Sequence, residues 1–217
     1  MTDSSEGTVH LRIEGPVASV VFDRPQARNA MTWGMYEALE RICTQVASDD
    51  AVRVLRLRGA GGQAFVAGTD IAQFLDFQSG EDGVQYEKRI DACVGLLENL
   101  AKPTVAVVEG WCIGGGLALA TACDFRIATP GAQFGVPIAR TLGNCLSAAN
   151  LARLVAALGR PRALRMLLAA ELIGADEALA GGYLLELVPP EALDEASDKL
   201  CRRLAQLAPV TQAVSKQ

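Results

Sequence analysis

The chain has 217 residues, half of them apolar, which is enough for one substantial core and makes a single domain over residues 1–217 the simplest expectation. Its 20 basic and 25 acidic side chains give a net charge of −5, which argues against a nucleic-acid partner. The longest uncharged run, residues 110–123, is short for a membrane span, and the N-terminus lacks the pattern of a secretory signal. We therefore expect a cytoplasmic protein with no membrane partner.

Six cysteines are scattered along the chain, and no two of them form a Cys-x-x-Cys pair. That spacing excludes the usual zinc motif and the thioredoxin-type redox pair, so we expect reduced thiols and no metal site. We also expect no tightly bound cofactor. The cysteines are Cys43, Cys93, Cys112, Cys123, Cys145 and Cys201.

Few aromatic residues among many small aliphatic ones favour helices packed on a sheet, the α/β or α+β class, of which we predict α/β. The first predicted elements are a hairpin formed by "VHLRIEG" and "ASVVFD" and a helix that begins near Thr32. The next predicted strand, "VRVLRLRG", directs Arg53, Arg56 and Arg58 largely to one side. A loop, "AGGQAFVAGT", is then expected to open into a helix at Asp70.

A second unit of strand, glycine-rich turn and helix follows. A helix over about residues 84–100 precedes "TVAVVEG", which is predicted as a buried strand that ends at the glycine triplet 114–116. The segments "CDFRIA" and "AQFGVP" predict a short antiparallel excursion. The remaining chain is predicted to be mostly helical, over residues 146–158, 162–170 and 191–207, and would form a C-terminal helical subdomain over about residues 145–217.

Two glycine-rich turns carry the strongest functional signal, one at residues 68–70 and the other at residues 114–116. A glycine after a buried strand lets the main chain approach a ligand, and the first N–H groups of the next helix lack intrahelical acceptors. Such turns favour negative charge, for example on a developing enolate oxygen. Either turn alone also fits a purely structural explanation, but their pairing favours a functional one.

At these residues the chain strongly resembles the crotonase superfamily, the enoyl-CoA hydratase/isomerase family. The matching stretches keep the family's order and cover nearly the whole chain from about Thr8 onward: "VASVVFDRPQARNAMT", "AFVAGTDIAQF", "AKPTVAVVEGWCIGGGLALATACDFRIA", "AQFGVP" and "GADEALAGGYLLELVPPEAL". The resemblance implies a crotonase-like spiral of β-β-α units with a helical C-terminal region. It also implies a homotrimer or homohexamer that acts on acyl-CoA thioesters in fatty acid metabolism, with coenzyme A as part of the substrate.

The resemblance also implies a site. An oxyanion hole would be formed by the main-chain N–H groups of Thr69 and Gly115. Coenzyme A would lie against "RPQARNA", with Arg28 near its phosphates and Ala30 beside the pantetheine, and its adenine would be held around residues 67–71. The expected contacts with the acyl-CoA are Arg28, Ala30, Ala67, Asp70, Ile71, Gly116 and Ile138. In relatives, a further helical stretch follows a segment like "APVTQAVSKQ", so the helical subdomain is expected either to be truncated or to continue beyond residue 217.

The chain departs from the family pattern at the two acids of its hydratases. These carry one glutamate two residues beyond the glycine triplet and another after the "FGxP" motif, where this sequence has Ala118 and Ile138. Neither side chain can transfer a proton, so ordinary hydration of an enoyl thioester is put in doubt.

Two segments offer replacements for these acids. Cys145 lies where related aryl-CoA dehalogenases carry a nucleophile, and a thiol near a helix N-terminus can be activated, although a buried cysteine is more often an inert apolar group. Acidic and phenolic side chains also follow the first turn, in a region that covers the acyl pocket of relatives. The simpler explanation of these side chains is a solvated helix face. They are Glu81, Asp82, Tyr86 and Glu87.

Three functional hypotheses remain open. The first is an acyl-CoA enzyme that stabilises a thioester enolate for isomerase, lyase or decarboxylase chemistry. The second is an enoyl-CoA hydratase with a relocated acid. The third, from a different class, is a catalytically silent acyl-CoA-binding or scaffold protein. Conversion of an enoyl thioester separates the first two from the third.

Overall fold

The structure is a computed structural model that describes residues 6–75, 77–141 and 143–216. The strands of this part of the chain are Thr8–Glu14 (β1), Val17–Asp23 (β2), Val54–Gly59 (β3), Ala64–Ala67 (β4), Thr104–Val108 (β5), Trp111–Ile113 (β6), Phe125–Ala128 (β7), Gln133–Gly135 (β8), Ile173–Gly174 (β9) and Glu186–Leu187 (β10). The α-helices are Trp33–Ser48 (α1), Gly80–Glu98 (α2), Gly115–Ala122 (α3), Ala148–Leu158 (α4), Arg160–Leu168 (α5), Ala175–Ala180 (α6), Leu193–Ala205 (α7) and Pro209–Ser215 (α8).

The strands form two sheets, and the chain alternates between them. The larger sheet has the order β1-β2-β3-β5-β7-β10, and the smaller one has the order β4-β6-β8-β9. The pairs β3–β4 and β5–β6 each place one strand in each sheet before a helix follows, which is the expected β-β-α repeat. The pairing is parallel except in β1–β2 and β8–β9. The α/β class predicted from the sequence is therefore confirmed.

The first predicted elements are confirmed with close boundaries. Strands β1 and β2 form the hairpin, and α1 begins after Thr32, whose hydroxyl accepts a hydrogen bond from the Met35 N–H at 3.3 Å. Such a side-chain cap satisfies an N–H group that has no intrahelical acceptor. Met35, Leu39 and Val46 of α1 are fully buried, as their spacing along the helix predicts.

Arg53, which precedes β3, and Arg56 and Arg58 of β3 all contact the C-terminal part of the chain, which agrees with the prediction that they point largely to one side. Arg53 donates to the Leu207 carbonyl oxygen at 2.8 Å, and Arg56 donates to the Ser197 hydroxyl at 2.9 Å. Arg58 pairs with Asp194 at 2.5 Å. These contacts fix α7 on the face of the sheet.

Three predictions about the strands were wrong. The predicted loop "AGGQAFVAGT" contains β4, and the predicted single strand before the glycine triplet is two strands, β5 and β6, in different sheets. The chain changes sheet at Gly110, where φ is 59° and a Cβ atom would lie 1.9 Å from the Gln63 carbonyl oxygen. The expected antiparallel excursion is also wrong, because β7 pairs parallel with β5 and β8 pairs parallel with β6.

Among residues 6–75, 77–141 and 143–216, no helix combines the length and the apolar character needed to cross a bilayer.

The helix predicted over about residues 84–100 is α2, which begins earlier, at Gly80. The helix predicted at Asp70 is a short 3-10 helix, Ile71–Phe74, capped by the Asp70 carboxylate.

Asn29 is a buried connector between the start of β4 and the chain before α1. Its amide nitrogen donates to the carbonyl oxygens of Ala60 and Ala64 at 2.9 and 2.8 Å, and its amide oxygen accepts from the Arg24 N–H at 2.9 Å. Its φ of 57° is one that asparagine tolerates better than most residues. The Asn29 side chain therefore takes the place of main-chain partners for the Arg24 N–H and for the Ala60 and Ala64 carbonyl oxygens.

We expect Asn29→Ala to lower the free energy of unfolding by about 2–3 kcal/mol, because it leaves buried main-chain groups without partners. Urea unfolding followed by circular dichroism measures this. The control is Asn99→Ala, which removes one exposed hydrogen bond of 2.8 Å to Gly95 and should cost under about 1 kcal/mol. Equal losses in the two variants would contradict the role given to Asn29.

Candidate active site

The two glycine-rich turns lie side by side because β4 and β6 are parallel neighbours, with Ala67 paired with Ile113. Each strand is followed by a glycine with positive φ, 90° at Gly68 and 53° at Gly114. A Cβ atom on Gly114 would lie 3.6 Å from the Gly68 Cα. The carboxyl ends of two parallel strands thus place both turns at one edge of the small sheet.

The N–H groups of Thr69 and Gly115 are free of main-chain acceptors among the described residues. Met31 donates to the Gly68 oxygen and accepts from the Asp70 N–H, both at 2.9 Å, so Thr69 lies between these bonds and its own N–H points away from Met31. Gly115 is the first residue of α3, whose opening N–H groups lack intrahelical acceptors. Both residues line one cavity of about 160 Å³, which we call the inner cavity.

The inner cavity adjoins a larger one of about 580 Å³, the outer cavity. The two share the lining residues Phe74, Tyr86, Glu87, Asn144 and Leu146. Ala118 and Ile138, which the resemblance implies stand where the family's hydratases carry acids, both line the inner cavity. Its wall is therefore apolar at these two positions.

A chain of three hydroxyl groups lies beside the two amides. The Thr69 hydroxyl is 2.8 Å from the Tyr36 hydroxyl and 2.8 Å from the Tyr86 hydroxyl. Burial raises the pKa of Tyr86 to about 12 and raises that of Tyr36 further above its ordinary value, so both phenols are neutral at pH 7. No local pattern marks Tyr36 as a site residue, because its partner Thr69 lies 33 residues away in the chain.

Glu87 is half-buried and lines both cavities. Its Oε2 accepts a hydrogen bond from the Ser147 N–H at 3.1 Å. Burial raises the pKa of this carboxyl, and the nearby Asp91 charge raises it further against the opposing effect of that hydrogen bond. The explanation of this residue and Tyr86 as a solvated helix face is therefore wrong.

The other two acids of that segment lie elsewhere. Glu81 is exposed and pairs with the Gln85 side chain at 2.5 Å. Asp82 accepts hydrogen bonds from the N–H groups of Gln78 and Ser79 at 2.9 and 2.8 Å, which caps the start of α2. For these residues the structural explanation holds.

Cys145 and Asn144 occupy different positions in the loop before α4. Cys145 is exposed and lines the outer cavity but is not among the residues that line the inner one, so a nucleophilic role for it stays a prediction. Asn144 lines both cavities, and its Oδ1 is buried without a hydrogen-bond partner among the described residues. This oxygen is an acceptor available to a donor group of a bound ligand.

The residues expected to hold coenzyme A cluster around the end of β4. The Arg28 carbonyl oxygen accepts from the Ala67 N–H at 3.1 Å, and the Arg28 guanidinium lies 5.7 Å from the Trp111 ring centroid. Asp70 forms an ion pair with Arg24 at 2.7 Å, and Ile71 is 60% exposed beside it. The pKa of Asp70 is lowered by the Ala72 N–H and by Arg24. Ala30 is partly buried and lies two residues after Arg28 in the sequence.

Gly116 has a packing function. It is buried, and a Cβ atom there would lie 2.0 Å from the Val66 carbonyl oxygen, so its hydrogen lets α3 pack directly on β4. It is not among the residues that line either cavity, and contact between Gly116 and the acyl-CoA stays a prediction.

Comparison with known proteins agrees with this architecture. The family model described as enoyl-CoA hydratase/isomerase matches residues 12–217. The chain is 34% identical over 209 residues to the short-chain-enoyl-CoA hydratase of Clostridium acetobutylicum, covering 96% of this chain and 79% of that protein. It is 32% identical to the hydroxycinnamoyl-CoA hydratase-lyase of Pseudomonas fluorescens, covering 96% and 76%.

Solved structures give the same result. The crystal structure of an enoyl-CoA hydratase/carnithine racemase from Magnetospirillum magneticum superposes with a TM-score of 0.91 at 30% identity, over 97% of this chain and 80% of that one. An enoyl-CoA hydratase from Bacillus anthracis superposes with a TM-score of 0.88 at 28% identity, over 97% and 81%. The chain therefore belongs to the enoyl-CoA hydratase/isomerase family, within the crotonase superfamily.

Proposed function

We propose that this protein is an acyl-CoA enzyme in which the main-chain N–H groups of Thr69 and Gly115 stabilise a thioester enolate. The observation that carries the proposal is the placement of both amides on one cavity, free of main-chain acceptors among the described residues. A carbonyl oxygen bound between them would gain stabilisation as it becomes negative, by about 3 kcal/mol for each donor. The N-terminus of α3 favours the same charge.

The chemistry favoured at this site is that of an isomerase or lyase. Water addition requires groups that position water and transfer its protons, and Ala118 and Ile138 supply none at the positions where the family hydratases carry acids. An enolate can form and collapse with a single proton carrier. The absence of a carboxylate at these two positions thus supports reactions at the carbon next to the thioester carbonyl.

Coenzyme A would lie along Arg28, Ala30, Ala67, Asp70 and Ile71. In support of this, Arg28 and Ala67 are hydrogen-bonded neighbours, and Ile71 lines the inner cavity beside Thr69. The acyl group would extend past Gly115 toward Ile138. As in the family at large, we propose a homotrimer or homohexamer in the cytoplasm.

A second candidate function is enoyl-CoA hydration through a relocated acid. The observation that favours it is Glu87, which lines the same cavity as Ala118 and Ile138. A catalytically silent acyl-CoA-binding protein is the third candidate. Hydration of crotonyl-CoA tests the second candidate, and deuterium exchange into 3-butenoyl-CoA separates the first from the third.

We expect the protein to bind crotonyl-CoA and to hydrate it at least about 100-fold more slowly than a family hydratase, because both usual acids are absent. Isothermal titration measures binding of coenzyme A and crotonyl-CoA, and loss of the enoyl ultraviolet absorbance measures hydration. The Clostridium acetobutylicum relative at equal concentration is the control. Absence of binding would overturn the ligand assignment, and rapid loss of absorbance would establish the second candidate.

A further inference from the structure

Glu87 differs from the other acids of the described chain in its position. Among the described residues that line the inner cavity, it is the one carboxylate, and the other titratable side chain there is Tyr86. The Tyr86 phenol is neutral at pH 7 because burial raises its pKa to about 12. A proton carrier that works near neutral pH is therefore available in this cavity from Glu87.

The carboxylate is held in place from a second element. The Ser147 N–H, at the start of α4, donates to Glu87 Oε2 at 3.1 Å, and the Ser147 hydroxyl donates to Asp91 Oδ1 at 2.7 Å. These two hydrogen bonds connect one turn of α2 to the N-terminus of α4, and Glu87 lines the cavity at this position. One of the two carboxylate oxygens has this bond, and the other has capacity for a proton.

The surroundings of Glu87 suit a group that gains and loses a proton. It is half-buried, and the nearby Asp91 carboxylate, which pairs with Arg153 at 3.6 Å, repels its charge. Burial and this repulsion favour the neutral acid and raise the pKa of Glu87 against the lowering effect of the Ser147 hydrogen bond, toward the range in which a carboxyl exchanges protons efficiently. Glu87 lines the same cavity as Thr69 and Tyr86, two members of the hydroxyl chain, and its charge raises the pKa values of Tyr36 and Tyr86 after the larger effect of burial.

We propose that Glu87 is the catalytic acid–base group of this site and exchanges a proton with the carbon next to the thioester carbonyl. This inference rests on the function proposed above. The carboxylate forms an O–H bond as the C–H bond breaks, and the C–H electron pair becomes the carbon–carbon double bond of the enolate. The carbonyl π electrons move to the oxygen that faces Thr69 and Gly115. Return of the proton to the same or a conjugated carbon restores the thioester.

The test uses 3-butenoyl-CoA in deuterium oxide, because its double bond acidifies the protons next to the carbonyl. Mass spectrometry measures deuterium uptake, ultraviolet absorbance measures the conjugated isomer, and isothermal titration measures binding. We expect Glu87→Gln to lower the exchange rate about 100-fold and to change the dissociation constant less than about threefold. The glutamine keeps an acceptor for the Ser147 N–H, so the fold should be preserved.

The matched control is Glu81→Gln, the same change at an exposed position of the same helix, which should leave the exchange rate unchanged. A pH profile adds a readout that a structural role would not move. In the unmodified protein the exchange rate should rise with pH, because the base is the carboxylate, with an apparent pKa above the ordinary range of glutamate. This rise should be absent in Glu87→Gln. Among the described residues, the ionisable groups around Glu87 are Asp91, whose carboxylate pairs with Arg153 at 3.6 Å, Lys88 and Cys145 on the outer cavity, and Tyr36 and Tyr86. Both tyrosines titrate at a pH far above this rise.

The outcomes separate this inference from the proposed function. Exchange that persists in Glu87→Gln but is lost when the Gly115 amide is removed would overturn the role of Glu87 and leave the enolate site intact. Binding without exchange in the unmodified protein would overturn both. Loss of exchange in Glu87→Gln, with binding and the unfolding midpoint unchanged, would establish Glu87 as the proton carrier.

Discussion

Replacement of Gly115 by proline, in a protein that also carries Tyr36→Phe, is expected to slow exchange of 3-butenoyl-CoA by about 100- to 1,000-fold. Proline removes the N–H group that would face the enolate oxygen. It suits the first position of a helix, which Gly115 occupies in α3, so the helix itself should form. The Tyr36→Phe background is needed because a Cβ atom on Gly115 would lie 2.5 Å from the Tyr36 hydroxyl oxygen.

The control for this variant is Gly115→Ala in the same Tyr36→Phe background. Alanine adds the Cβ atom but keeps the N–H, so the two variants separate the loss of the donor from the added bulk. Initial rates of deuterium uptake at saturating substrate provide the comparison, and Tyr36→Phe alone provides the reference because it also removes a hydrogen bond to Thr69. Equal rates for the alanine and proline variants would rule out the donor role of Gly115.

Gly116→Ala is expected to lower the free energy of unfolding by about 3 kcal/mol or more, although alanine is the better helix former. The added Cβ would lie 2.0 Å from the Val66 carbonyl oxygen and 2.8 Å from its carbonyl carbon, and neither main-chain atom can move without displacing β4. Helix α3 must therefore separate from the strand on which it packs. Denaturant unfolding monitored by circular dichroism measures the loss.

The matched control is Gly95→Ala in α2, another helical glycine. Its added Cβ would meet only the end of the Asn99 side chain, at 4.0 Å, so this variant should gain up to about 1 kcal/mol from helix propensity. The same substitution thus has opposite expected signs at the two positions. A neutral or stabilising effect at Gly116 would show that α3 and β4 can separate at little cost, and would contradict the packing function assigned to this glycine.

Local patterns predicted the elements that depend on neighbours in the chain. The alternation of β1 and β2 and the spacing of the buried residues of α1 are periodic over several residues, and the cap at Thr32 is contained within one turn. The strands β4 and β6 have four and three residues, too few for a period to be recognised. Their pairing, which creates the small sheet, joins segments that are far apart in the sequence.

In the candidate site, too, some features were predicted from local sequence and others depend on tertiary packing. Glycine content marked both turns, but only the pairing of β4 with β6 brings Thr69 and Gly115 to one cavity. For Tyr86 and Glu87 the helical pattern favoured a solvated face, because periodicity shows which side of a helix is polar but not what that side meets. Packing of α2 against the loop before α4 turned that side toward a cavity.

By itself, the sequence determined the α/β class, the family and the two glycine-rich turns, since each of these is a matter of residue type and local order. It also predicts that Ala118 and Ile138 replace the two acids of the family's hydratases. Tertiary structure alone decided that the turns meet, that the Tyr36, Thr69 and Tyr86 hydroxyls form a chain, and that Glu87 stands on the cavity wall. The physical reason is that these contacts join segments distant in the chain, and their formation depends on how sheets and helices pack rather than on any local preference.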